Sequence, residues 1–77
     1  MTFRLELIPL RIQKARLRSR MTQKGLAAAA KVSQQLISRW EQGEAMPGIP
    51  ALIRLAEALD VNPLALMGYI KEREQAK

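Results

Sequence analysis

Between residues 3 and 8 apolar and polar side chains alternate, with Phe3, Leu5 and Leu7 on one side and Arg4 and Glu6 on the other. That is the period-2 pattern of a strand. A lone strand is not stable, so it predicts an arm that pairs with a partner or packs back on its own domain. From Pro9 the period changes. Pro9 suits the first turn of a helix over about residues 9–19, with Ile12, Ala15, Arg16 and Ser19 on one face and Arg11, Lys14 and Arg18 on another. Thr22 is an N-cap for a short helix over Gln23–Ala30, in which four alanines favour helix and Gly25 costs roughly 1 kcal/mol against alanine. Lys31 and Val32 form a turn. Ser33 then caps a helix over Gln34–Gln42 that stops at Gly43.

After a loop at Glu44–Gly48, the residues Ile49, Leu52, Ile53, Ala56 and Leu59 fall in one helical stripe, with Pro50 in the first turn. Asn62 caps a last short helix, Pro63–Met67, whose continuation past Gly68 the pattern leaves open. The expected organisation is an arm at residues 1–8, a helical domain at 9–70 and a polar tail at 71–77, frayed or disordered.

Composition narrows the chemistry. At 77 residues the chain makes one small domain with a modest core and little room for a catalytic cleft. It has no Cys and no His, which argues against a zinc knuckle, a thiol nucleophile, a histidine base and a disulfide framework. No enzyme activity, metal or cofactor is therefore expected. The longest apolar run is Leu26–Ala30 and no signal peptide is visible, so a cytoplasmic protein without a membrane span is expected.

The net charge of +6 is unevenly placed. Residues 1–40 carry nine basic side chains against Glu6 alone, while residues 41–77 carry four basic and six acidic ones. Such asymmetry points to a polyanion on one side, a nucleic acid or a membrane surface. A membrane is disfavoured, since the basic first helix lacks a strongly apolar, aromatic opposite face.

Two short helices joined by a tight turn are the geometry of a helix-turn-helix, whose second helix enters the DNA major groove. Leu26, Ala27 and Ala30 would face Val32, Ile37 and Trp40 across the turn, with Ala27 small where the helices cross. The segment TQKGLAAAAKVSQQLISRWEQGEAMPGIPALIRLAEALDVNPLALM resembles the helix-turn-helix of the phage Cro and repressor (Xre-like) family. The match is to T-Q-x-x-L-A, V-S-x-x-x-I-S-x-W-E-x-G, a proline, an apolar helix and a final short helix, and covers about residues 10–67. The resemblance implies an all-α, five-helix, lambda-repressor-like DNA-binding fold.

It also implies roles by position. Gln34 and Gln35 open the recognition helix, where an amide can match adenine N7 and N6. Leu36 offers a contact to a thymine methyl, and Arg39 can reach guanine or a phosphate. Thr22, Gln23, Arg20, Lys31 and Gln42 are the expected phosphate contacts, Gln23 also bracing the first glutamine of the recognition helix. Arg16 and Glu41 resemble a structural pair that ties helix 1 to the recognition helix, and Trp40 reads as core. Two departures stand out. Lys31 occupies a turn position that is often glycine with positive φ, and Glu44-Ala45-Met46 replaces a loop that is often basic. The expected function is a sequence-specific double-stranded DNA-binding regulator, a repressor, working as a homodimer through the C-terminal helix or the N-terminal arm. The alternative is an antitoxin that binds a partner toxin and its own promoter.

Overall fold

The structure, a computed structural model, describes residues 7–69. Five helices follow in order: α1 (Ile8–Arg18), α2 (Gln23–Ala30), α3 (Gln34–Glu41), α4 (Ile49–Leu59) and α5 (Pro63–Met67). No strand occurs among the described residues. The starts follow local chemistry. Thr22 Oγ1 accepts from the Gly25 N–H (2.9 Å), Ser33 Oγ from Leu36 (3.1 Å) and Asn62 Oδ1 from Leu64 (2.9 Å). Each cap satisfies an amide that has no intrahelical partner. One proline stands in the first two positions of each of α1, α4 and α5 (Pro9, Pro50 and Pro63), where a missing N–H is harmless.

The ends share one device. A residue in the left-handed region follows each helix: Arg20 (φ 59°), Lys31 (φ 61°), Gly43 (φ 77°), Asp60 (φ 58°) and Gly68 (φ 92°). In every case the next N–H reaches back six residues' span to a helix carbonyl: Met21 to Arg16, Val32 to Ala27, Glu44 to Arg39, Val61 to Ala56 and Tyr69 to Leu64. This is the Schellman closure. Met21, Val32 and Val61, the residues just past three of these turns, pack against the core. Gly68 suits its left-handed backbone, which a Cβ would strain, and a Cβ there would also lie 3.3 Å from the Arg11 guanidinium, which would have to give by a few tenths of an ångström. That placement also turns Arg11 toward the C-terminal end of α5.

The core sits where all five helices converge. Ile8, Ile12 and Ala15 of α1, Leu26, Ala27 and Ala30 of α2, Ile37 and Trp40 of α3, Leu52, Leu55, Ala56 and Leu59 of α4 and Leu66 of α5 are its buried members. α2 lies against both α3 and α4, α1 against α3, and α5 against α4 and α1. Trp40 is core, as its neighbours Ile37 and Val32 imply.

Several boundaries differ from the sequence expectation. α1 begins at Ile8, so Leu7 and Ile8 leave the alternating arm: Leu7 caps α1 with helical φ and ψ. The rest of the arm, and the tail at 71–77, lie outside the described residues. Ser19 is exposed as the C-cap and does not share the buried face of Ile12, Ala15 and Arg16. α3 ends at Glu41 with Gln42 as its cap, and α5 stops at Gly68. In α4, Ile49 and Ile53 are 56% and 42% exposed, while Leu55, outside the expected stripe, is fully buried. The apolar arc of α4 is wider than the face its neighbours cover, and the core takes the side centred on Leu52, Leu55, Ala56 and Leu59.

Left-handed backbone costs a residue with a Cβ roughly 1–2 kcal/mol. Glycine removes that cost but brings a more flexible unfolded chain, an offset of roughly 0.4–1 kcal/mol. Lys31→Gly is therefore expected to raise the unfolding free energy by roughly 0.5–1 kcal/mol, and Gly68→Ala to lower it by more than about 1 kcal/mol. Urea denaturation reads both. A lower midpoint for Lys31→Gly would contradict the strain assigned to that turn.

Candidate nucleic-acid interface

The surface expected to meet a nucleic acid is built on α2, the Lys31–Ser33 turn and α3. The eight residues of α3 divide by face. Ile37 and Trp40 are buried, whereas Gln34, Gln35 and Arg39 are exposed. A helix of two turns thus has one anchored face and one open polar face. The two glutamine amides stand in the first turn, next to the Ser33 cap, and Arg39 lies one turn further along the helix from Gln35. Leu36 is placed differently: it is half-buried and packs against the core.

Of the residues expected at phosphates, Thr22 is exposed and its hydroxyl oxygen is committed to capping α2. Arg20 and Lys31 are exposed, one before α2 and one after it, both in left-handed backbone. The positive φ expected at the Lys31 turn is present, met here by lysine and not by glycine. Gln42 is exposed, and its Nε2 donates to Ser38 Oγ (3.3 Å).

Gln23 makes a bond that the sequence analysis did not expect. Its Nε2 donates to Glu41 Oε1 (3.0 Å). That carboxylate is already gripped by Arg16, whose Nε donates to Oε2 (2.6 Å) and whose Nη2 donates to Oε1 (3.1 Å). Arg16 Nη1 donates to the Met21 carbonyl (2.8 Å). The structural pair read from the sequence is present, then, and it is a four-way junction: α1 through Arg16, the α1–α2 turn through Met21, the start of α2 through Gln23 and the end of α3 through Glu41. The Arg16 and Glu41 side chains are only 11% and 2% exposed. Charges so deep are tolerated because the fork is bidentate and is joined by further hydrogen bonds, from Gln23 to the carboxylate and from the guanidinium to the Met21 carbonyl. Sequence reasoning gave the ion pair but not Gln23's part in it, because a contact spanning 18 positions leaves no local signal.

Comparisons with known proteins agree with this geometry. A family model described as helix-turn-helix matches residues 12–66. A comparison with curated protein sequences found no match. Among solved structures, the solution structure of the DNA-binding domain of the P22 c2 repressor is similar, with 32% identity, a TM-score of 0.78 and 84% of this chain covering 87% of that one. The P22 c2 repressor in complex with a synthetic operator is 30% identical with a TM-score of 0.76, covering 82% of this chain and 96% of that one. The N-terminal DNA-binding domain of SinR from Bacillus subtilis is 26% identical with a TM-score of 0.79, covering 87% of this chain and 99% of that one.

Removing one partner from a buried, hydrogen-bonded ion pair leaves the other charge uncompensated. Glu41→Ala is expected to cost about 3–5 kcal/mol of unfolding free energy. Gln23→Ala removes a single donor and is expected to cost about 1 kcal/mol. The double variant Arg16→Met, Glu41→Leu is expected to regain at least half of the Glu41→Ala loss, because no charge is left behind. Urea unfolding of the free protein measures all three. A double variant less stable than Glu41→Ala would contradict the uncompensated-charge explanation.

Proposed function

This chain belongs to the helix-turn-helix family, and from that premise we propose that it is a sequence-specific double-stranded DNA-binding transcriptional regulator, acting as a repressor. The observation that carries the reading is the division of α3: an apolar side locked into the core by Ile37 and Trp40, and an exposed side carrying Gln34, Gln35 and Arg39. A rigid helix with uncharged amides at its open end is suited to choosing bases, because an amide donates and accepts in one plane and pairs with adenine N6 and N7. Arg39 is suited to guanine O6 and N7 or to a phosphate. Leu36, turned partly into the core, has only its outer edge for a thymine methyl.

Affinity comes from a separate set of groups. The opening N–H groups of α2, at Gln23 and Lys24, lie at the positive end of the helix dipole and suit a phosphate. Arg20 and Lys31 bracket that helix with positive charge, and Thr22 and Gln42 add polar groups at the two ends of the unit. The basic excess of residues 1–40 supplies the longer-range attraction. The loop after α3 carries Glu44, so any phosphate there must be held by backbone N–H groups and Gln42.

One domain of this size reads few base pairs. A homodimer on a two-fold site, with half-sites about 34–36 Å apart, supplies the rest. Exposed Leu64 and Tyr69 on and beside α5 support a contact through the C-terminal helix.

Selection of bound sequences from random duplex DNA tests the proposal, and a two-fold symmetric site is expected. On that site Gln34→Ala and Gln35→Ala are each expected to cost about 1–3 kcal/mol while leaving binding to random duplex unchanged. Equal losses on both duplexes would reject base reading. The logarithm of the affinity is expected to fall steeply and linearly with the logarithm of salt concentration. A flat response would remove the phosphate contacts. Sedimentation at micromolar concentration tests the dimer, and a monomer both free and on the selected duplex would overturn it.

A further inference from the structure

We propose that Arg54, on α4, is a positioning residue for the recognition helix: it holds the carbonyl end of α2 and so fixes the turn from which α3 departs. The inference rests on the base-reading role given to α3 above.

A helix leaves its last carbonyls without intrahelical partners. At the end of α2 the turn itself satisfies two of them, since the Lys31 N–H donates to Ala28 O (3.3 Å) and the Val32 N–H to Ala27 O (3.0 Å). The final carbonyl, Ala30 O, is met from outside. Arg54 Nε donates to it at 3.2 Å, across 24 positions of sequence. α2 has no means of its own to do this, because its last turn is all alanine with no basic residue. The same alanines leave room for the visitor: Arg54 lies in an open groove with Ala29, Ala30, Lys31, Glu57 and Ala58, where small side chains let it reach the α2 backbone. A guanidinium at a helix C-terminus is favoured by the dipole as well as by the hydrogen bond.

The location gives the bond its consequence. Ala30 is followed at once by Lys31, held at φ 61° and ψ 45°, a left-handed conformation that side chains with a Cβ adopt at a cost. Ser33 caps α3 two residues later, and Gln34 and Gln35 follow directly. The dihedrals of this short turn set where α3 starts and how it leaves α2, while the Arg16–Glu41–Gln23 junction holds its far end. A donor clamped on Ala30 O steadies the turn at its first atom, and the two glutamines are the first side chains of α3 to move if it relaxes. Readout of bases requires groups held within about 0.5 Å, so the loss falls on sequence choice before it falls on general affinity.

The test uses the full chain with Arg54→Met, which keeps the stem and removes the donors, and Arg54→Lys, which keeps a cationic donor. Affinities for the selected operator duplex and for a random duplex are measured at several salt concentrations, well below the unfolding transition. Amide hydrogen exchange of the DNA-free protein is followed at Lys31 and Val32. Arg54→Met is expected to lose about tenfold on the operator and less than about twofold on random duplex, with the salt slope unchanged. Exchange at Lys31 and Val32 is expected to accelerate, and Arg54→Lys to recover most of both effects. Equal losses on both duplexes, with the salt slope reduced by about one, would make Arg54 a phosphate ligand and overturn the proposal. Unchanged exchange at the turn, or an unchanged ratio of operator to random affinity, would overturn it too. A wild-type chain that does not discriminate between duplexes would instead reject base reading by α3, with the exchange arm still deciding whether Arg54 holds the turn.

Discussion

Arg16 and Glu41 are charges withdrawn from water, and a charge in that position must be met from several sides or it destabilises the fold. Here the meeting groups come from four places along the chain, so the requirement organises the molecule. Glu41 is the last residue of α3, Gln23 the first of α2 and Arg16 lies near the end of α1. The junction can form only when those three termini arrive together, with the Met21 carbonyl beside them. Apolar contacts at Ile37 and Trp40 bury one side of α3, but they tolerate small rotations and slides. A bidentate guanidinium–carboxylate pair does not, because both of its hydrogen bonds weaken when the planes tilt. The hydrophobic core therefore places α3, and the ion pair orients it.

At the other end of α3 the constraint is backbone geometry. Three of the five helices close on a residue with a side chain in left-handed backbone. The return is brevity: two residues separate a left-handed Lys31 from the first residue of α3. With five helices of five to eleven residues and a small core, the fold has little material for long connections. Short rigid turns keep the exposed side of α3 from wandering while its buried side is anchored by Ile37, Trp40 and the inner part of Leu36.

Local chemistry was readable from the chain. Thr22, Ser33 and Asn62 cap the helices they were expected to cap, and Pro63 opens α5, because a cap acts within three residues of itself. The helix-turn-helix pattern carried the Arg16–Glu41 pair as well. What could not be read was which part of a broad apolar arc the neighbours cover. Ile49 and Ile53 share the period of Leu52 and Ala56, yet they face outward, while Leu55 is fully buried. Periodicity gives an angle around a helix axis, and only packing gives the centre of the covered sector. The bond from Gln23 to Glu41 and that from Arg54 to Ala30 were invisible for a related reason: each joins residues whose sequence neighbourhoods carry no trace of the other.

Leu36 occupies the boundary between the two sides of α3, half in the core and half at the surface. A helix whose third position is shared in this way cannot change its surface one residue at a time. Gln34, Gln35 and Arg39 are free to vary without disturbing the packing beneath them, and new preferences can accumulate there by single substitutions. At Leu36 each change is also a change of core volume, so it must be compensated in the partners beneath or limited to residues of similar shape. Divergence among duplicated copies of such a domain would therefore run through the two glutamines and the arginine, with the leucine lagging behind as the slow coordinate of its evolution.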